Sequence, residues 1–182
     1  MLCNVSIIIG SSEQFMRVKS FMFTMYTWNV GFSSKPYLAT RVNPKLHNSR
    51  VQVHDAHLRA LEQLINSNEK CAFIFEDDVV PAYNKTLNKL HELLGRLPSN
   101  WNYLNMGRCY SLCSNQECVV TGLVRNDRSL CRHAYAVHRT TAYELLRHTK
   151  RLKTPGDIEW SYFLNRHYRN TTFSSSTRWY NQ

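Results

Sequence analysis

Cys71-Ala72-Phe73-Ile74-Phe75-Glu76-Asp77-Asp78 is the stretch that decides the fold. Five apolar residues without alternation read as a strand covered on both faces, the mark of a sheet held between layers of helix. The run then breaks off in three consecutive acids. Just before it, His54, His57, Leu58, Leu61, Leu64 and Ile65 recur at helical spacing, and the pattern stops at Asn66-Ser67-Asn68. Further back, Val5–Ile9 reads as a strand, Ser11-Ser12-Glu13-Gln14 as a capping box opening a helix toward Tyr26, and Tyr37–Val42 as a second short strand. On the carboxyl side Leu87, Leu90, Leu94 and Leu97 predict a helix stopped by Pro98, and Trp101–Met106 a strand. Val119–Val124 and Cys131–Val137 follow as strands around a polar turn at Arg125–Arg128. A short helix around Ala142, Leu145 and Leu146 then precedes a last helix, Ile158–His167, for which Asp157 is a natural N-cap. Strands and helices alternate, so the expectation is one α/β domain over residues 1–182 with a mostly parallel central sheet.

The 182 residues are 43% hydrophobic and 20% charged, which suits one compact core. No apolar run approaches the roughly 20 residues of a membrane helix. The opening apolar stretch lacks a basic flank, so the chain as written carries no secretory address and is expected in the cytoplasm. A longer precursor would be expected in the Golgi or ER lumen. The net charge is +10, and the excess is concentrated late: residues 1–124 hold 12 basic and 9 acidic side chains, residues 125–182 hold 11 and 4. Such a field favours an anionic partner, whether a phosphorylated small molecule, a nucleic acid or a membrane surface in peripheral association. An RNP-like aromatic motif, paired metal knuckles and a Lys/Arg block are all missing, which disfavours nucleic acid. Cys109, Cys113, Cys118 and Cys131 lack the short knuckles of a zinc ribbon, and are expected as local disulfides or free thiols. Asn4, Asn84 and Asn170 head formal glycosylation sequons.

In open α/β sheets ligands bind beyond the carboxyl ends of strands, and here three carboxylates are packed there on a basic chain. Adjacent like charges repel, and a divalent cation would neutralise them. Strand alternation points Glu76 and Asp78 to one side, while a turn brings Asp77 round, so Asp78 is the first candidate metal ligand, with Glu76 and Asp77 contributing. The plain alternative is a solvated acidic turn. A hard cation held by few carboxylates keeps positions for water and substrate phosphates. Both a nucleotide-sugar transferase and a nuclease satisfy that chemistry, but Val79-Val80-Pro81 stands where a restriction-type nuclease places an acid-x-Lys pair.

Several segments resemble, in order, the landmarks of glycosyltransferase family 25, the lipopolysaccharide and procollagen galactosyltransferase type. His57-Leu58-Arg59-Ala60 resembles its Ser-His-x-x-Ala helix, and Ala72-Phe73-Ile74-Phe75-Glu76-Asp77-Asp78-Val79 its apolar strand ending in Glu-Asp-Asp. Trp101-Asn102-Tyr103-Leu104-Asn105-Met106-Gly107 is similar to its Trp-Asp-x-Leu-x-Leu-Gly stretch. His133-Ala134-Tyr135-Ala136-Val137 with Ala142-Tyr143-Glu144-Leu145-Leu146 resembles its Ala-Tyr strand and Ala-x-x-Leu-Leu helix, and Pro155-Gly156-Asp157 its Pro-x-Asp. The pattern departs at Gln52-Val53, Ala56 and His138, where the family has Gly-Cys, Ser and Ser.

The resemblance implies a GT-A, Rossmann-like domain that binds a nucleotide-sugar donor through a divalent metal, usually Mn²⁺. It would transfer a hexosyl group with inversion to a hydroxyl of a glycan or protein acceptor. His57, Glu76 and Asp77 become donor-binding candidates, although His57 alone reads as a structural histidine. A carboxylate must take the acceptor proton. Asp127 and Glu144 look solvated, leaving Asp157, with Glu159 as rival, at a loop of the kind that carries function. Trp101 and Tyr135 read as core, and His133 or His138 could reach a metal. The alternative function is a basic nucleic-acid- or glycan-binding domain without catalysis.

Overall fold

The computed structural model describes residues 3, 5–10, 37–40, 49–81, 92–107, 117–125, 130–149, 154–175 and 180–181. In chain order the elements are β1 (Val5–Gly10), β2 (Tyr37–Thr40), α1 (Ser49–Asn66), β3 (Cys71–Glu76), β4 (Val80–Pro81) and β5 (Tyr103–Asn105). The hairpin β6 (Cys118–Val120) and β7 (Leu123–Arg125) follows, then β8 (Ala134–His138), α2 (Arg139–Thr149), α3 (Gly156–Tyr168), β9 (Thr172–Ser175) and β10 (Tyr180–Asn181). The helix expected from Ser11 toward Tyr26 lies outside the described residues, as does the first part of the one expected around Leu87–Leu97; residues 92–95 are helical.

Among the described residues eight strands form one sheet in the order β2-β1-β3-β8-β5-β9-β7-β6, while β4 and β10 pair separately. Followed through its pairings, the sheet has six strands running one way, with β8 and β7 opposed. This is an α/β fold with a predominantly co-directional, mixed sheet, as the alternation of elements predicts. Period-two alternation sends side chains to two separate cores. On one face Ile7, Ile9, Ala72, Ile74, Tyr103, Tyr135 and Val137 meet Leu61 and Leu64 of α1, Leu145 of α2 and Trp160 of α3. On the other, Ile8, Phe73, Phe75, Leu104, Ala134, Ala136 and Phe173 pack with Leu93, Trp101 and Leu123. Burial on both faces is the reason 71–75 shows no alternation.

Three local readings change. Val119–Val124 is a hairpin rather than one strand, because the chain turns at Thr121-Gly122 with Gly122 at φ +91°, a conformation glycine adopts without cost. Trp101–Met106 shortens to Tyr103–Asn105, with Trp101 buried ahead of it. Cys131 lies outside β8 because its φ of +71° is incompatible with a strand. A disulfide joins Cys3 to Cys71, Cα atoms 5.1 Å apart, tying the chain before β1 to the start of β3. Cys131 is also disulfide-bonded. Cys118 is a free, exposed thiol, the second of the two states expected for it, and Cys109 and Cys113 lie outside the described residues.

Candidate active site

The reversed strand β8 begins where β3 ends, so the chain before β8 meets the acids after β3. The Glu76 N–H donates to the His133 carbonyl at 2.8 Å, and the Asp77 N–H to the Ile9 carbonyl at 2.9 Å. A turn closed by the Val79 N–H on the Glu76 carbonyl at 3.3 Å leaves Asp78 exposed. Ligand-type atoms of Glu76, Asp78 and His133 all lie within 4.8 Å of one another. Asp77, half-buried between the two acids, is not in that group. The strand-end carboxylates expected to gather do so as a pair, and an imidazole makes the third.

Glu76 is the best-held side chain of the group. Its Oε1 accepts from His57 Nε2–H at 3.0 Å and its Oε2 from His133 Nδ1–H at 2.6 Å. Burial alone would raise its carboxyl, but the hydrogen bonds from His133 and His57 outweigh this and hold it well below the usual carboxylate range. His57, on the inner face of α1, is fully buried. Burial, then the field of Arg132, lowers its imidazole to about 4 despite Glu76. The ring is therefore neutral near pH 7, with one donor and one acceptor. Tyr135, whose hydroxyl burial pushes far above its ordinary value, donates to His57 Nδ1 at 3.1 Å. The result is a directed chain, Tyr135 O–H to His57 to Glu76. His133 is shifted upward by its hydrogen bond to Glu76.

The position of His57 alters its expected role. Enclosed on all sides and hydrogen-bonded through both nitrogens, it supports Glu76 from behind and presents no atom to a donor. Trp101 and Tyr135 are core, as their strand positions suggest. Of the two histidines flanking β8, His133 joins the acids, while His138 sits at the opposite end with its ring 4.5 Å from Trp101.

Asp157 and Glu159 open α3, but the N-cap residue is Pro155, without a side-chain cap, so Asp157 lies one residue inside the helix. Its carboxylate instead accepts from the Cys131 N–H at 3.2 Å and the Ile158 N–H at 3.0 Å. Glu159 accepts from the Thr154 N–H at 2.9 Å, bracing the loop before the helix. The field of Asp157 reaches His133, whereas that of Glu159 reaches His54. The Cys131 hydrogen bond ties Asp157 to the segment that carries His133.

Sequence reasoning gave no functional role to Arg132, His54 or Asn105. His54 and His57 are three apart on one helix and so share a face, which is a readable signal. Nothing local marks Arg132 as buried, and Asn105, whose Nδ2 donates to the Cys131 carbonyl at 2.9 Å, lies within an apolar strand.

A central strand ending in acids is met by a reversed strand within a covered mixed sheet, and two solved structures with TM-scores above 0.5 show that this fold is GT-A-like. The glycosyltransferase GlyE of Streptococcus pneumoniae TIGR4, in its apo form, superposes with a TM-score of 0.56 at 9% identity, over 92% of this chain and 44% of that one. A variant of Drosophila β1,4-galactosyltransferase 7, in complex with manganese, UDP-Gal and xylobiose, gives 0.53 at 12% identity, over 95% and 70%. A glycosyltransferase involved in glycosylation of the major capsid of PBCV-1 gives 0.48 at 10%, over 94% and 92%. The chain spans less than half the length of GlyE. No protein-family model matches the sequence, and no curated protein does.

Proposed function

We propose that the chain is a metal-dependent hexosyltransferase, related to glycosyltransferase family 25, that moves a sugar from a nucleotide-sugar donor to a hydroxyl of a glycan or protein acceptor with inversion. The observation that carries this reading is the grouping of Glu76, Asp78 and His133 beyond the central strand of a GT-A-like sheet. Two carboxylates and an imidazole make an oxygen-rich donor set that fits Mn²⁺. The complex of the Drosophila neighbour with manganese and UDP-Gal supports the same reading. Glu76, Asp78 and His133 would hold the ion, with Asp77 beside the donor. When bound, such an ion stabilises charge on a departing diphosphate.

The chain's own residues supply the rest. His57 and His133 fix both oxygens of Glu76, so this carboxylate enters the site ionised and oriented. Asp157 is the base: pinned by two backbone N–H groups, it keeps further lone pairs for the proton of an acceptor hydroxyl. Glu159 positions the loop that carries it.

The deciding experiment is a panel of nucleotide sugars assayed for donor hydrolysis and transfer with and without Mn²⁺. We expect one donor to release its nucleoside diphosphate only with the metal, and Asp78→Asn to abolish this. Failure of every donor, or parental donor and metal binding by Asp78→Asn in calorimetry, overturns the proposal. Glycan or nucleic-acid binding without turnover would instead identify a non-catalytic domain.

A further inference from the structure

Three consecutive residues, Cys131, Arg132 and His133, run as a strap between the amino end of α3 and the carboxyl end of β3. Cys131 holds a left-handed backbone that non-glycine residues rarely adopt, and it is fixed by a disulfide, by its N–H on Asp157 and by its carbonyl on Asn105. His133 is fixed to Glu76 through both its carbonyl and its ring. Between them Arg132 turns inward and is 93% buried, being 7% exposed. Its Nη1–H donates to His54 Nδ1 at 3.1 Å, and its guanidinium lies 4.6 Å from the Trp160 ring centroid. His54 in turn donates Nε2–H to the Thr149 carbonyl at 2.7 Å, and Trp160 Nε1–H donates to the Thr149 hydroxyl at 2.9 Å.

Among the described residues no carboxylate forms an ion pair with this buried cation. Such an arrangement is costly unless charges elsewhere compensate it. The opposing fields it feels include those of Asp157 and Glu76, the two carboxylates at the ends of the strap. The helix leaves room for it at Gly156: a Cβ there would fall 2.7 and 3.0 Å from the two terminal guanidinium nitrogens and would also collide with His54 Nδ1. Glycine at the first residue of α3 therefore lets the guanidinium lie against the helix start, at the residue before Asp157.

We propose that Arg132 is a positioning residue that sets the carboxylate of Asp157 relative to the Glu76–Asp78–His133 group. It acts through the Cys131 N–H and the first turn of α3. The inference rests on the transferase reading for its catalytic consequence, but the strap itself is a property of the fold. An inverting displacement needs base, acceptor and leaving group held in line, and misplacement by about 1 Å costs on the order of a hundredfold in rate. Arg132 touches neither substrate nor ion; it fixes the distance between the groups that do.

The test uses Arg132→Met, Arg132→Lys and Gly156→Ala, the last displacing the guanidinium without altering it. Read in parallel are kcat and donor KM for transfer, Mn²⁺ affinity by calorimetry, and exchange of the Cys131 amide by NMR. We expect kcat to fall about a hundredfold in Arg132→Met and Gly156→Ala. Donor KM and Mn²⁺ affinity should stay within about twofold of the parent, a split that general damage would not give. The Cys131 amide should exchange at least about tenfold faster. The double variant should be no worse than the poorer single one, and Arg132→Lys should recover part of kcat. Should Arg132→Met fail to fold, Gly156→Ala decides alone. Parental kcat or parental Cys131 exchange in Gly156→Ala overturns the proposal, as does equal loss of kcat and Mn²⁺ affinity. If the parent transfers no sugar, the transferase reading fails by itself, and amide exchange still decides whether Arg132 holds the strap.

Discussion

Asp78 is the exposed member of the strand-end group, and it lies beyond the last paired residue of β3, so its loss should remove metal without disturbing the sheet. Asp78→Asn is expected to weaken Mn²⁺ binding at least about tenfold with an unchanged melting temperature, measured by calorimetry. Asp157→Asn is a different case. An amide offers one oxygen where the carboxylate uses two, so either the Cys131 or the Ile158 hydrogen bond is lost. Stability should fall by about 1–3 kcal/mol, alongside a loss of turnover by orders of magnitude if Asp157 is the base. Near-parental turnover would remove Asp157 from that role. His57 makes the folding free energy depend on pH with a definite sign. Its folded value of about 4 lies below the ordinary 6.5, so between these limits the unfolded chain binds the extra proton and stability declines as pH falls. The contribution is on the order of 3 kcal/mol. His133 acts oppositely: its stabilisation is present at low pH and lost as pH rises through its raised folded value. Urea midpoints from pH 7 to 4.5 should fall in the parent and flatten in His57→Gln. The acids were legible because a charge cluster interrupts an apolar run. Their histidine partners were candidates in the sequence, His57 for the donor and His133 or His138 for a metal, but their contacts with Glu76 were not legible, since these span 19 and 57 residues.

At the scale of elements, α1 shows why its position could be read from spacing alone. Leu61 and Leu64 are completely buried, and with Ala60 they cover β1 and β3. Leu61→Ala should cost about 2–5 kcal/mol in chemical denaturation, through lost transfer free energy and the cavity left behind. A value under about 1 kcal/mol would show that α1 does not seal the sheet as described. The helices α2 and α3 were found at their apolar faces for the same reason. Elements fixed by backbone demands were harder to read. The hairpin turn at Gly122 sits within a run that looks like one strand, and the left-handed Cys131 sits within a segment that looks like the start of β8. Both are places where geometry overrides pattern. The order of strands is likewise not written in their composition: Ala-Tyr-Ala-Val would suit a parallel strand as well as the reversed β8, and only its pairing with β3 and β5 decides.

For the whole molecule, the Cys3–Cys71 bridge closes a loop across a sequence separation of 68 residues. Replacing both cysteines by serine should lower stability by about 2–5 kcal/mol, and reductant should lower the parent's melting temperature while leaving the double variant unmoved. An equal response in the two would place the effect at Cys131 instead. The position of β9 has a consequence for how the molecule comes into being. This strand lies between β5 and β7, yet it is formed by residues 172–175, far along the chain from both. During synthesis the β6–β7 hairpin emerges long before the strand that links it to β5. The nascent sheet must wait with two open borders until residues 172–175 have left the ribosome. Those borders are where a product stalled before residue 172 would seek another chain's backbone, so synthesis through β9 is itself a protection against aggregation.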